Sequence, residues 1–327
     1  MMTTNTWQPN ISINNLKKRA QIIAKIRAFF ASKDVIEVET PALSQATVTD
    51  LHLQSFSTKF FGTNAAMQNS ELHLQTSPEF AMKRLLCAGS GCIYQISKAF
   101  RNEEAGRFHN PEFTMLEWYR VDFDHFQLMN ELSELLIHIL DCEKAEQVTY
   151  QQLFIKYVGV DPLACSLDEL KNSIKVHQLN ADWVLNEDNF DTLLQYLFSE
   201  LVESKIGKER PCLVYNFPAS QASLAQISID DKRVAQRFEL YFKGMELANG
   251  FNELRDASEQ KLRFKAENQL RTNSGKDSKA IDANFIAALE HGLPKCAGVA
   301  LGVDRLIMIA LNQTHIENVI SFSVNRA

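Results

Sequence analysis

The sequence predicts an α+β fold in which helices pack against an antiparallel sheet. Three observations carry that expectation. Two strand-like runs, residues 92–100 and 113–121, flank a short polar loop and make a long hairpin. A second stretch, "RFELYFKGMELANGFNEL" (237–254), reads as another strand pair turning at Asn249 and Gly250, because Asn-Gly is the strongest short hairpin signal. Nowhere do strands alternate regularly with helices, as a doubly wound parallel sheet would require.

The remaining elements follow in order. Residues 1–15 are polar. From 16 to 30, Leu16, Ile22, Ile23, Ile26, Phe29 and Phe30 form a helical stripe. "VIEVETPAL" (35–43) alternates like a strand and stops at Pro41. "SPEFAMKRLLCAGS" (77–90) reads as a helix with Ser77 as its cap, Pro78 at its first position and Gly89 closing it. Another helix covers 126–140. Residues 141–210 mix helical patterns with acidic stretches and read as an insertion within a single domain spanning 1–327. "PCLVYNFPAS" (211–220) returns to the sheet, and "CAGVALGVDRLIMIAL" (296–311) is a glycine-flanked strand leading into the last helix.

Composition narrows the function classes. The chain has 327 residues, 45% of them hydrophobic and 23% charged, as in an ordinary globular protein with a sizeable core. A net charge of -6 argues against a protein whose whole surface grips nucleic acid. The six cysteines form no Cys-x-x-Cys pair, so thiols in a reducing compartment are expected rather than a zinc site. The amino terminus lacks a signal-type apolar core, and no apolar run approaches the ~18 residues of a membrane span. A cytoplasmic protein without a membrane segment is the expectation.

Three constellations carry chemistry. Side chains alternate faces along a strand, so Phe113, Met115, Glu117 and Tyr119 share one face, above Gln95, Ser97, Ala99 and Arg101 of the preceding strand. That face offers an aromatic for stacking, an arginine for a phosphate, and a glutamate–tyrosine pair for an amine; it also suits a hairpin that merely meets solvent. If Asn249 and Gly250 are the turn, Glu246 opposes Glu253. Like charges across a ladder repel unless solvent or a cation separates them, and two carboxylates suit a hard cation such as Mg2+. Finally, Gly298 and Gly302 permit close backbone approach, and Asp304-Arg305 opens the helix that follows, either as a cap or with Arg305 as a second phosphate or stacking group.

Together these residues resemble the three signature motifs of class II aminoacyl-tRNA synthetases, in the lysyl branch. The helix at 16–30 with "VIEVETPAL" is similar to motif 1, "FRNE" followed by "HNPEFTMLEWY" to motif 2, and "GVALGVDRLIM" to motif 3. "TSPEF", "NFPAS" and "ELANGFNEL" are similar to the substrate and metal elements of that branch. The resemblance covers roughly 16–325. The anticodon-binding domain that lysyl enzymes carry before motif 1 is not found here, and Ala300 stands where they have glycine. In both respects the chain resembles the ligases that attach (R)-β-lysine to elongation factor P.

The resemblance implies an ATP-dependent enzyme with Mg2+ that forms an acyl-adenylate, then transfers (R)-β-lysine to a lysine side chain of elongation factor P. It implies a homodimer built on motif 1 and no tRNA substrate. Carried over residue by residue, Arg101 meets the α-phosphate, Asn102 contacts ATP, and Glu103 and Asn110 hold the adenine end. Phe113 and Arg305 sandwich the base, Gly302 lets the nucleotide approach, and Leu247 lies near it. Glu246 and Glu253 hold the metal. Ser77, Pro78, Glu79, Glu117, Tyr119, Glu253 and Ala300 line the amino-acid site. A compact lysyl-tRNA synthetase and a non-catalytic synthetase-like regulator are the competing readings.

Overall fold

A computed structural model of the chain describes residues 7–61, 70–102, 105–179 and 182–327. The chain divides into two compact units: residues 1–123, 138–140 and 254–327 form the first, and 124–137 and 141–253 the second.

The first unit begins with α1 (Ile13–Ala31), capped by Ser12, whose side chain accepts from the Asn15 amide at 3.1 Å. Then come β1 (Ile36–Glu37), β2 (Leu43–Ser44), β3 (Ser57–Phe60), β4 (Ser70–Leu74), α2 (Glu79–Cys87), β5 (Ile93–Phe100) and β6 (Glu112–Val121). The second unit holds most of α3 (His125–Leu140), then β7 (Glu146–Thr149), α4 (Tyr150–Val158), α5 (Leu167–Val176), α6 (Phe190–Leu201), β8 (Cys212–Pro218), β9 (Val234–Phe242) and β10 (Met245–Asn252). The chain returns to the first unit with α7 (Ala257–Asn273), α8 (Ala283–Gly292), β11 (Cys296–Gly302) and α9 (Val303–Ala310).

In the first unit the strands run in the order β1-β5-β6-β11, and β2-β4-β3 form a separate small sheet. The β5–β6 hairpin sets Ala99 opposite Phe113, Ser97 opposite Met115 and Gln95 opposite Glu117, which keeps together the side chains that alternation places on one face. Antiparallel β11 then sets Ala300 opposite Glu117 and Gly298 opposite Tyr119. One face of this sheet is closed by α1. Phe30 stacks on Tyr94 at 4.4 Å and meets Trp118 edge-on at 5.4 Å, and all three are buried. Since Tyr94 and Trp118 face α1, Gln95 and Glu117 face the other way.

In the second unit the order is β10-β9-β8-β7. Tyr150 and Phe154 from α4 and Leu194, Leu197 and Phe198 from α6 pack with Val214, Phe217 and Tyr241 of the sheet in one apolar core. Between 141 and 210 the regular elements are thus α4, α5 and α6 with β7 before them and short 3-10 turns after α5 and α6.

Four expectations need correction. Two strand pairs, β1 with β5 and β7 with β8, are parallel, so the architecture is mixed rather than purely antiparallel. Helix α2 lies between β1 and β5 in sequence and α4, α5 and α6 lie between β7 and β8, and such a crossover is what parallel pairing requires. Leu16, placed on the apolar stripe of the first helix, is 38% exposed, and burial begins at Ile22. Asp304 does not cap α9: its carboxylate accepts from the Thr114 amide at 2.6 Å and pairs with Arg19.

The fourth correction concerns the second hairpin. It turns at Lys243-Gly244, not Asn249-Gly250; Lys243 and Gly244 have φ of 52° and 74°, and Phe242 pairs with Met245 around them. Positive φ at both central residues is what a two-residue loop matching the strand twist requires. Asn249 lies inside β10 opposite Glu239 and donates to its carboxylate at 3.3 Å. Glu246 therefore opposes Tyr241 within β10, and Glu253 follows just past the end of the same strand, so the two do not face across a hairpin.

Candidate active site

The open face of the first unit gathers the amino-acid residues. Glu117, 2% exposed at the centre of β6, accepts from the Tyr119 hydroxyl at 2.6 Å on Oε1 and from the Ser77 hydroxyl at 2.7 Å on Oε2. Ser77 in turn accepts from the Glu79 amide at 3.0 Å, so one hydroxyl both ties down the start of α2 and orients Glu117. Burial, reinforced by the nearby charge of Glu79, pushes the Glu117 carboxyl up to about 7. A carboxylate has about four acceptor sites. Two are taken, leaving two for a cationic donor.

Glu79 accepts from Lys83 Nζ at 2.5 Å, one helical turn along α2, and Lys83 is 1% exposed. Sequence reasoning passed over Lys83, although the four-residue spacing of a glutamate and a lysine on a helix was legible. It also missed Glu267 on α7, whose carboxyl accepts from the Thr49 hydroxyl and is pushed up to about 7 by burial. Thr49 and Glu267 lie 218 residues apart, and no local pattern signals such a pair.

The nucleotide candidates in this unit divide. The Arg101 guanidinium lies 5.2 Å from the centroid of Phe113. Arg305, expected over that ring, instead reaches the Phe108 carbonyl at 3.4 Å and His109 Nε2 at 2.6 Å. Asn102 is fixed through its backbone, its amide donating to the Gln54 carbonyl at 2.7 Å. The Asn110 carboxamide donates to the Glu112 carbonyl at 2.6 Å and accepts from the Val324 amide at 3.0 Å, bracing the carboxy-terminal segment. A Cβ on Gly302 would meet nothing nearer than the Arg305 side chain at 3.7 Å, an ordinary contact, so packing within the chain does not demand glycine there. Pro78 borders a cavity of about 610 Å³ together with Gln75 and Gln95. Glu103 lies outside the described residues.

In the second unit Leu247 sits in a register shift between Glu246 and Ala248. The extra residue has a consequence for the two glutamates. Seven positions apart, they would point to opposite faces of a regular strand, and the bulge returns them to one face, with Asn249 and Phe251 between. Carboxylates on one face suit Mg2+, which is commonly held by one or two carboxylates plus substrate phosphates. Glu253 is 1% exposed; Glu246 is half-buried beside a cavity of about 170 Å³ that Glu239, Arg237 and Tyr241 also line.

A family model described as tRNA synthetases class II (D, K and N) matches residues 6–326. Among similar curated proteins, one from Proteus mirabilis (strain HI4320), named elongation factor P–(R)-β-lysine ligase, is 58% identical over 323 residues, covering 98% of each chain. Proteins of the same name from Vibrio cholerae and Vibrio vulnificus are 57% identical over 326 residues and 59% over 316, covering 100% and 97% of both chains. The chain belongs to the class II tRNA synthetase family (D, K and N), in the group whose curated relatives bear that ligase name.

Proposed function

We propose that this chain is an ATP-dependent ligase that activates (R)-β-lysine as an acyl-adenylate and transfers it to a lysine side chain of elongation factor P. Full-length similarity to relatives named for that reaction supports the reading. The structural observation that carries it is Glu117, a buried carboxylate held by Ser77 and Tyr119 with acceptor capacity to spare, as an ammonium-bearing amino acid needs.

In the first step a carboxylate oxygen of the amino acid attacks the α-phosphorus of ATP, and the bond to pyrophosphate breaks. No covalent bond to the protein forms, so the residues act by positioning and by neutralising charge. Arg101 takes the α-phosphate. Phe113, Arg305, Asn102, Asn110 and Gly302 take the nucleoside, with Arg101 leaving the Phe113 ring as the base arrives. Ser77, Pro78, Glu79, Glu117, Tyr119 and Ala300 take the amino acid. In the second unit Glu246 and Leu247 are assigned to nucleotide contact, Glu253 to the amino acid, and Glu246 and Glu253 to Mg2+ ligation. Mg2+, when bound, neutralises phosphate charge. In the second step the lysine amine of the acceptor attacks the acyl carbon and AMP leaves, giving an amide.

A cytoplasmic homodimer is part of this reading. Among the described residues no helix is long and apolar enough to cross a membrane. Exchange of pyrophosphate into ATP tests the first step: it should require a lysine-type amino acid, with (R)-β-lysine preferred over α-lysine in kcat/KM. A strong preference for α-lysine together with tRNA charging would overturn the reading in favour of a lysyl-tRNA synthetase. No heat of binding with ATP, Mg2+ and either isomer would point to a non-catalytic relative.

A further inference from the structure

Gln95 lies on β5 directly opposite Glu117, which itself lies opposite Ala300 on β11, so the three form one row across the open face. Gln95 is 2% exposed, and its Oε1 is buried with no hydrogen-bond partner among the described residues. Two positions along the same face the Ser97 hydroxyl is in the same state. Both residues border the cavity of about 610 Å³ that also touches Pro78, so a ligand has room beside them. A buried carbonyl oxygen left unsatisfied costs stability, and a protein keeps one where a ligand completes it.

The missing partner must be a donor. Across the row Glu117 is an acceptor with two lone-pair sites to spare, so a neutral hydroxyl would satisfy one side and strand the other. A primary ammonium carries three N–H donors and no acceptor, which suits a carboxylate and a carboxamide oxygen on adjacent strands. We propose that Gln95 is a further specificity-determining residue, its side-chain oxygen accepting a hydrogen bond from an ammonium group of the bound amino acid opposite Glu117. This rests on the ligase reading above and adds a residue that the motif resemblance did not supply.

The test is Gln95→Met, similar in length but without the acceptor, with Gln95→Leu as a second apolar replacement. Pyrophosphate exchange is measured against (R)-β-lysine and against ATP, and the melting temperature is taken without ligand. The KM for (R)-β-lysine should rise about tenfold while kcat and the KM for ATP stay within about twofold. The melting temperature should hold or rise, because the variant removes an unsatisfied polar atom. An unchanged KM for (R)-β-lysine overturns the proposal, as does a fall in melting temperature with both KM values moving together. If the unmodified protein gives no exchange with any lysine-type amino acid, the ligase reading fails instead.

Discussion

Arg19 and Asp304 meet at 2.6 Å, joining α1 at one end of the sequence to α9 at the other. Asp304 also accepts from the Thr114 amide, and Arg19 donates to the Thr114 hydroxyl and the Val319 carbonyl, both at 2.9 Å. One buried ion pair therefore fastens together stretches of all three signature motifs, next to Arg305 and Phe113 in sequence.

Breaking that pair from one side should be costly. Arg19→Met leaves the Asp304 carboxylate buried without its cation, and the expected loss is about 3–5 kcal/mol. Adding Asp304→Asn removes the stranded charge, so the double variant should melt above Arg19→Met alone. Chemical denaturation of the three proteins checks both statements, and equal losses in the single and double variants would count against the account.

Glu117→Gln should reduce kcat/KM for the amino acid by about 100-fold or more, since a charged hydrogen bond to the substrate is replaced by a neutral one. Its stability should change with pH in a defined direction. Glu117 has a folded-state pKa of about 7 against an ordinary 4.5. The folded state thus binds more protons between those values, and the wild type loses stability as pH rises through the window. The variant lacks that contribution. Denaturation midpoints at several pH values between 5 and 8 should show a shallower decline in Glu117→Gln.

His125 gives the opposite slope. It is 3% exposed, neither ring nitrogen has a hydrogen-bond partner among the described residues, and burial pushes it down to about 4 from an ordinary 6.5. The unfolded chain therefore binds the extra proton between those values, and stability from this group is lost as pH falls below about 6.5. His125→Leu should flatten the acid side of the stability profile. A profile identical to wild type below pH 6 would contradict the assignment.

The hairpin turn is testable separately from any chemistry. Gly244 has φ of 74° with open space where a Cβ would stand, so Gly244→Ala carries a conformational penalty and no clash. The expected cost is about 1–2 kcal/mol. No loss on thermal melting would return the turn to Asn249-Gly250.

Much of the first unit was legible because period-two alternation fixes which side chains share a face. Glu117, Tyr119 and Phe113 fell on the face where alternation put them, while the cross-strand register came only with the structure. The second hairpin was misread because Asn-Gly is a strong local signal while Asn249 has a distant partner, Glu239, that suits it to a strand. The same error made Glu246 and Glu253 face one another. Lys83 was readable by spacing, but Glu267 and Thr49 meet only through the fold. Gln95 was read only as one of the residues sharing that face; its burial, with no partner for its side-chain oxygen among the described residues, singles it out.

The central claim is that the acceptor is a protein and the group transferred is (R)-β-lysine. Intact-mass spectrometry of elongation factor P after incubation with this protein, ATP, Mg2+ and (R)-β-lysine tests it most directly. The account predicts a gain of one lysyl mass, located on a lysine side chain, that is absent without ATP and strongly reduced with Glu117→Gln. Unmodified elongation factor P, under conditions where the same protein preparation exchanges pyrophosphate with (R)-β-lysine, would contradict it.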